Sequence, residues 1–164
     1  GNIQINASFE EVIINNEIKS ILNEIINIYR DKEAVILYVS DHGECVYDTN
    51  QLSFGRPLSD RKSLETIKVL YEIPMVMWCS DNYIIKHTDV VERIKASVDR
   101  PFMNDDVCHI LFDIAGIRGN FYDASRSVIN KNYMPRSRVV NNGQLNYDAY
   151  KNEIQKVRLR TQDN

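Results

Sequence analysis

From residue 12 onward, Val12, Ile14, Ile18, Ile21, Leu22, Ile25 and Ile28/Tyr29 recur at helical spacing, with Glu and Lys between them. One apolar stripe of that period predicts an amphipathic helix. Ser8 and Glu11 mark its start as a capping box, the serine capping the first turn and the glutamate reaching back. The helix is expected to end near Arg30, before the polar turn Asp31-Lys32-Glu33. The pattern then changes. Residues 34–39 form a continuous apolar, β-branched and aromatic run bounded by charge, which predicts a strand buried on both faces. Strands of that kind belong to parallel sheets covered by helices. Helix, tight turn and buried strand read as half of a βαβ unit.

Periodicity fails over 45–66, where Asp48, Asn50, Gly55, Pro57, Ser59 and Asp60 interrupt scattered apolar residues. This predicts a long loop with a helical turn near 61–67, placed to serve as a lid or substrate wall. Residues 71–79 are the second buried run, with Pro74 near its start, where a missing ladder donor is tolerated. Ser80-Asp81 cap a helix from Asn82, with Ile84/Ile85, Val90/Val91, Ile94 and Val98 on one face. Arg100-Pro101 ends it. Asn104-Asp105-Asp106 cap the next helix, whose buried stripe is Val107, Ile110, Leu111 and Ile114 and whose C-cap is Gly116. Residues 118–138 are aromatic and basic, with only Asp123 opposing the charge, and read as a solvated extended arm or an anion-binding segment. Asn142-Gly143 is a turn signal.

Length and composition narrow this picture. The chain has 164 residues, enough for one domain, 1–164, with a real core. It is 43% hydrophobic and 26% charged, as globular proteins are. A formal net charge of -3 sets up no field favouring nucleic acid or an anionic membrane. No apolar run approaches the roughly 18 residues that span a bilayer, and no signal peptide is present. The chain begins with Gly1 and not Met, as a piece of a longer protein does. Cys45, Cys79 and Cys108 fit neither a zinc ribbon nor a disulfide framework and read as free thiols, with Cys45 near enough to His42 to be reactive. His87 reads as an exposed surface residue and His109 as a packed, hydrogen-bonded one.

The candidate chemistry lies at Asp41 and His42. In open α/β sheets, ligands sit just beyond the carboxyl ends of the strands, where these two residues fall. A carboxylate and an imidazole are both ordinary zinc ligands. Neighbours on an extended strand point to opposite faces, so both reach one ion only if the chain turns, as Gly43 permits. Two ligands remain short of the three that a catalytic zinc commonly has.

Ser40-Asp41-His42-Gly43-Glu44 after its apolar strand, then Val46-Tyr47-Asp48, then Ile73-Pro74 ahead of Trp78-Cys79-Ser80, resembles the bacterial phosphoethanolamine transferases of the sulfatase and alkaline-phosphatase-like superfamily. Asp113 to Ile117, Tyr122-Asp123 and Arg126-Ser127 resemble the C-terminal part of the lipopolysaccharide-core (heptose phosphate) type. The resemblance implies an α/β fold, the C-terminal portion of a three-layer α/β/α sandwich of alkaline-phosphatase-like type. It implies that Asp41 and His42 are zinc ligands, and that a threonine nucleophile and an acidic ligand lie upstream of this fragment. It implies transfer of phosphoethanolamine from phosphatidylethanolamine to a glycolipid acceptor through a phospho-threonine, in a parent anchored in the inner membrane with this domain in the periplasm. Glu44, Asn104, Asp105 and Arg126 are the substrate-binding candidates. Lipid A-directed members carry a histidine where Phe54 stands, and His-Asp where Asn104-Asp105 stand. These departures point away from a lipid A acceptor and from a second metal.

The alternatives are a phosphoglycerol transferase, a sulfatase-like hydrolase, or a non-catalytic domain that binds an envelope glycolipid or protein. The isolated fragment is expected to be inactive, for want of the nucleophile. Sheet edges left open are ready sites for strand pairing, so a dimer of fragments is a further expectation.

Overall fold

A computed structural model describes residues 2–4, 16–47, 54–56 and 63–153. The capping box at Ser8 and Glu11 and the apolar positions Val12 and Ile14 lie outside them. Within them runs a mixed α/β chain. In order come β1 (Asn2–Gln4), α1 (Asn16–Tyr29), β2 (Val35–Val39), β3 (Cys45–Val46), β4 (Phe54–Gly55), α2 (Leu64–Tyr71) and β5 (Met75–Cys79). Then follow α3 (Asp81–Lys86), α4 (Thr88–Lys95), a 3-10 turn at Asn104–Asp106, α5 (Val107–Ile114), β6 (Val139–Val140) and β7 (Leu145–Asn146). The chain divides into two compact units. One comprises Gly1–Val39 and Pro74–Pro135, the other Ser40–Ile73 and Arg136–Asn164.

The first unit is built on a three-stranded sheet of order β1-β5-β2. β2 forms where the apolar run predicts a strand, but it runs antiparallel to β5, with Val35 opposite Cys79, Leu37 opposite Met77 and Val39 opposite Met75. The expectation of a parallel strand buried on both faces is therefore corrected. All five β2 residues are half-buried, and β5 alternates, with Met75, Met77 and Cys79 buried and Val76 and Trp78 half-buried. The half-exposed positions are filled with apolar and aromatic side chains, so the two-residue alternation of an antiparallel strand leaves no trace in the sequence. Met75, Met77 and Cys79 pack with Tyr83, Val91, Ile94, Ile110, Val128 and Ile129, and Val35, Leu37 and Val39 join them from β2. α1 ends within a residue of the expected place, although its Ile21 and Ile28 stay exposed.

Ser80 closes the sheet and opens α3 at once. Its backbone N–H donates to the Ala34 carbonyl at 3.0 Å. Its buried hydroxyl oxygen accepts from Ala34 N at 3.1 Å and from Tyr83 N at 3.2 Å, capping the helix. We expect Ser80→Ala to destabilise the chain by about 2 kcal/mol, near the top of the range for a lost N-cap. A buried donor, Tyr83 N, and a half-buried one, Ala34 N, lose their acceptor in that variant. Urea unfolding measures it, and a loss below about 0.5 kcal/mol would show that water replaces the hydroxyl.

The single helix expected from Asn82 is two helices broken at His87, whose backbone leaves the helical region at φ -125, ψ 45. The histidine is not a bare surface residue. Its Nε2 lies 2.7 Å from Glu33 Oε1, and its ring stacks on Tyr83 at 4.3 Å. Thr88 Oγ1 donates back to the Ile84 carbonyl at 3.2 Å, a bond that bends helices. In α5 the buried side is polar as well as apolar. His109, Ile110 and Asp113 face inward, whereas Leu111 is 46% exposed, contrary to the expected stripe. Gly116, at φ +68, ends α5 as expected, and Ile117 N donates to Phe112 O at 2.8 Å in a Schellman closure.

Among its described residues the second unit holds two antiparallel strand pairs and α2. Within the expected loop over 45–66, β3 pairs antiparallel with β4, Cys45 opposite Gly55 and Val46 opposite Phe54. α2 starts at the N-cap Ser63, whose oxygen accepts from Thr66 N at 3.2 Å. The Asn142-Gly143 signal forms the β6–β7 turn, with Asn141, Asn142 and Gly143 all at positive φ. Residues 147–153 are helical.

Candidate metal-binding site

Asp41 and His42 follow β2 directly in sequence and belong to the second unit. Asp41 Oδ1 accepts from the His42 backbone N–H at 2.9 Å. Ser40 Oγ donates to the His42 carbonyl at 2.8 Å. These local bonds turn the chain so that adjacent residues present both side chains together. Asp41 Oδ2 and His42 Nε2 lie 3.6 Å apart. Two ligands at two vertices of a tetrahedral zinc, each about 2.0–2.2 Å from the ion, stand about 3.3–3.6 Å apart. The pair therefore fits one edge of such a site. His42 Nδ1 lies 3.0 Å from the Gly43 carbonyl. With its proton on Nδ1 the ring donates there, and Nε2 keeps its lone pair toward Asp41. A backbone carbonyl commonly orients a ligating histidine in this way. The pair is open to solvent, with the Asp41 side chain 87% exposed and the His42 side chain 40% exposed. Among the described residues no group of three or more His, Cys, Asp or Glu side chains is placed to hold a metal.

Gly43 anchors this turn. Its N–H donates to the Leu70 carbonyl of α2 at 3.1 Å. A Cβ at this position would lie 1.7 Å from the Val69 carbonyl oxygen. Only glycine lets the turn lie flat on the last turn of α2, whose final carbonyls have no partners within the helix. Glu44 belongs to the same unit and lies over β4, where a Cβ on Gly55 would be 3.8 Å from its Oε1. Cys45, next along, is fully buried. None of the three cysteines forms a disulfide.

Asn104, Asp105 and Arg126 belong to the first unit. Asp105 and Arg126 do come together, Arg126 Nη2 lying 3.2 Å from Asp105 Oδ2. The nearer partner of Arg126 is Asp106, at 2.6 Å from Nε and only 1% exposed. Arg126 is thus braced by two carboxylates. The basic segment 118–138 is not a solvated arm, because Ser127, Val128 and Ile129 are fully buried. Its charges are opposed from α5 and beyond. Arg118 Nη2 lies 3.1 Å from Asp113 Oδ1, and Arg138 Nε donates to Asp148 Oδ1 at 3.0 Å. Sequence reading places Asp106 in a helix cap and Asp113 in the family resemblance, but does not find them as buried carboxylates that hold arginines, since the sequence carries no mark of that burial. His109 is packed and hydrogen-bonded as expected, its Nδ1 accepting from Asp123 N at 3.1 Å.

These features define a mixed α/β chain with a carboxylate–imidazole pair displayed on a turn after a core strand. No protein-family model matches the sequence. It is 29% identical over 112 residues to the phosphoethanolamine transferase CptA of Salmonella typhimurium, covering 68% of this chain and 18% of that protein. It is 30% identical over 112 residues to the phosphoethanolamine transferase EptC of Escherichia coli O18:K1:H7, with the same coverage of 68% and 18%. The crystal structure of the C-terminal periplasmic domain of EptC from Escherichia coli superposes with a TM-score of 0.64 at 26% identity, over 81% of this chain and 37% of that one. A zinc complex of that domain shares the fold, with a TM-score of 0.65 at 24% identity, over 87% and 44%. The chain is homologous to the C-terminal region of the phosphoethanolamine transferases. It spans less than a fifth of the length of the full relatives it matches.

Proposed function

We propose that Asp41 and His42 supply two zinc ligands to the phosphoethanolamine-transferring centre of an enzyme of this family, and that the chain works in the bacterial periplasm. Support comes from one observation above all: the 3.6 Å separation of Asp41 Oδ2 and His42 Nε2, on a turn where His42 Nδ1 lies 3.0 Å from the Gly43 carbonyl. The larger domain is a three-layer α/β/α sandwich of alkaline-phosphatase-like type. The donor is phosphatidylethanolamine, the carrier a threonine, and the acceptor a lipopolysaccharide-core glycolipid. Glu44 and Arg126 are substrate contacts on this reading, with Asn104 and Asp105 beside the latter. Among the described residues no helix is long and apolar enough to cross a membrane, so membrane attachment would fall to other parts of the enzyme.

When bound, zinc supplies Lewis-acid stabilisation of phosphoryl oxygens and a lowered pKa for a hydroxyl nucleophile. The protein's own share is orientation. Asp41 brings negative charge to the site. His42 brings its Nε2, with the other ring nitrogen, Nδ1, 3.0 Å from the Gly43 carbonyl. Gly43 holds both on α2.

Two ligands bind weakly, and we expect these 164 residues alone to show no transfer activity. Zinc added to the isotope-labelled chain should shift the amide signals of Asp41, His42 and Gly43 in fast exchange. His42→Ala should weaken that binding about tenfold or more. Shifts that centre elsewhere, or that survive the substitution unchanged, would remove the metal assignment. In the complete enzyme, Asp41→Ala should abolish modification of the acceptor, read by mass spectrometry of the cell's glycolipids.

A further inference from the structure

A second set of contacts reaches the same helix turn that holds Gly43. Tyr147 is only 2% exposed, and its hydroxyl donates to the Glu72 carboxylate. Lys151 Nζ donates to the same Glu72 oxygen at 2.8 Å. The Arg138 guanidinium lies 4.8 Å from the centroid of the Tyr147 ring. It is kept there by Asp148, which accepts from Arg138 N at 3.1 Å and from Nε at 3.0 Å. Residues 138–151 thus form a braced aromatic-ionic cluster with one target on α2.

That target is the C-cap. Glu72 ends α2, and its backbone N–H donates to the Lys68 carbonyl at 2.7 Å. Val69 and Leu70, one turn back, are the residues whose backbone receives Gly43. The last turn of α2 is therefore held from both sides. One side carries Asp41 and His42 through Gly43. The other is fixed by a buried hydroxyl that a core-filling role would not require, since phenylalanine would occupy the same space.

We infer that Tyr147 is a positioning residue for the Asp41–His42 pair: its hydrogen bond to Glu72 sets the last turn of α2, and that turn sets the Gly43 bend bearing both ligands. The inference rests on the reading of Asp41 and His42 as metal ligands. Tyr147 acts two contacts away and touches no metal or substrate.

The test uses Tyr147→Phe in the full 164-residue chain, with zinc ion as the probe and two readouts. Zinc affinity at the amides of Asp41, His42 and Gly43 should fall about fivefold, the worth of one net hydrogen bond. Hydrogen exchange at the Gly43 amide, which donates to Leu70, should speed up by a similar factor of about five. Amides of β5, in the other unit, should keep the wild-type rate. Glu72→Gln keeps an oxygen for the tyrosine hydroxyl and should leave both readouts within about twofold of wild type. If Tyr147→Phe lowers the melting temperature but leaves zinc affinity and Gly43 exchange unchanged, the residue is merely structural and the inference fails. If zinc does not perturb the Asp41–Gly43 amides of the wild-type chain, the metal assignment itself fails, and Gly43 exchange alone decides the positioning. Should Tyr147→Phe not fold, Glu72→Ala removes the acceptor of the tyrosine hydroxyl and should move both readouts the same way. No movement in that variant overturns the inference.

Discussion

Asp113→Ala is expected to cost about 3–5 kcal/mol of folding stability, the range for removing one partner of a buried ionic network. The Asp113 side chain is fully buried. One carboxylate oxygen accepts from Ser127 Oγ at 2.9 Å and Asn130 Nδ2 at 2.8 Å, and faces Arg93 Nη1 at 3.2 Å. The other faces Arg118 Nη2 at 3.1 Å. Removing it affects these partners unequally. Arg118 is 52% exposed and recovers water, so its pair contributes little. Ser127 is fully buried and Arg93 only 26% exposed, so they lose a partner that water does not readily replace. Each orphaned buried donor costs about 1–3 kcal/mol, and these dominate. Chemical denaturation measures the sum, and a value below about 1 kcal/mol would show that the network contributes nothing net.

The same carboxylate sets an acid limit. Burial alone would raise its pKa, but the hydrogen bonds from Asn130 and Ser127 and the Arg93 charge outweigh it and hold Asp113 below its ordinary 3.8. A lowered folded-state pKa contributes stability that is fully present above the unfolded value and is lost as pH falls through the folded one. Asp148, lowered chiefly by its hydrogen bond from Arg138, acts in the same direction. So does Glu72, where burial is outweighed by Lys151 and Tyr147 and the carboxyl lies below 4.5. Stability should therefore decline below about pH 4.5, and Asp113→Asn should flatten that decline because its share is already gone.

What could be read from the sequence was local. The β2 run, the Ser80 cap, the Gly116 stop and the Asn142-Gly143 turn each depend on a few consecutive residues, and each forms where expected, whereas only Met75–Cys79 of the 71–79 run is strand and Tyr71 ends α2. Strand direction did not follow, because apolar residues fill the half-exposed positions of β2 and β5 and hide the alternation. His87 breaks its helix beside Glu33, a partner 54 positions away, and no local pattern announces that. The basic segment reads as unopposed because its carboxylates come from Asp106 and Asp113, which lie outside it in the sequence. The candidate site divides likewise. Asp41 and His42 were visible because their pairing is a matter of adjacent residues and a glycine. What holds Gly43 is α2, more than twenty residues on, and only the fold supplies it.

Gly43→Ala should be the most damaging small substitution in the second unit, at about 3 kcal/mol, the upper end for overpacking. The reason is space. The added Cβ would meet Val69 O at 1.7 Å, Val69 C at 2.9 Å and Leu70 C at 3.3 Å. All three are backbone atoms of a helix and cannot rotate away as a side chain does. The turn must lift instead, which breaks the 3.1 Å bond from Gly43 N–H to Leu70 O. A lost hydrogen bond of about 1 kcal/mol then adds to the strain. Gly143→Ala is the matched control. Gly143 sits at φ +83 with nothing within 4 Å of an added methyl, so only the left-handed backbone penalty of about 1–2 kcal/mol applies. Urea unfolding of the two variants should separate them by more than about 1 kcal/mol, with Gly43→Ala the less stable, by the difference between these two mechanisms. In the same variant the zinc-induced shifts at Asp41 and His42 should vanish even where the chain is still folded, because the lifted turn no longer aligns carboxylate and imidazole. Equal stability in the two variants, or intact zinc shifts in Gly43→Ala, would mean that the ligand turn keeps its geometry without α2.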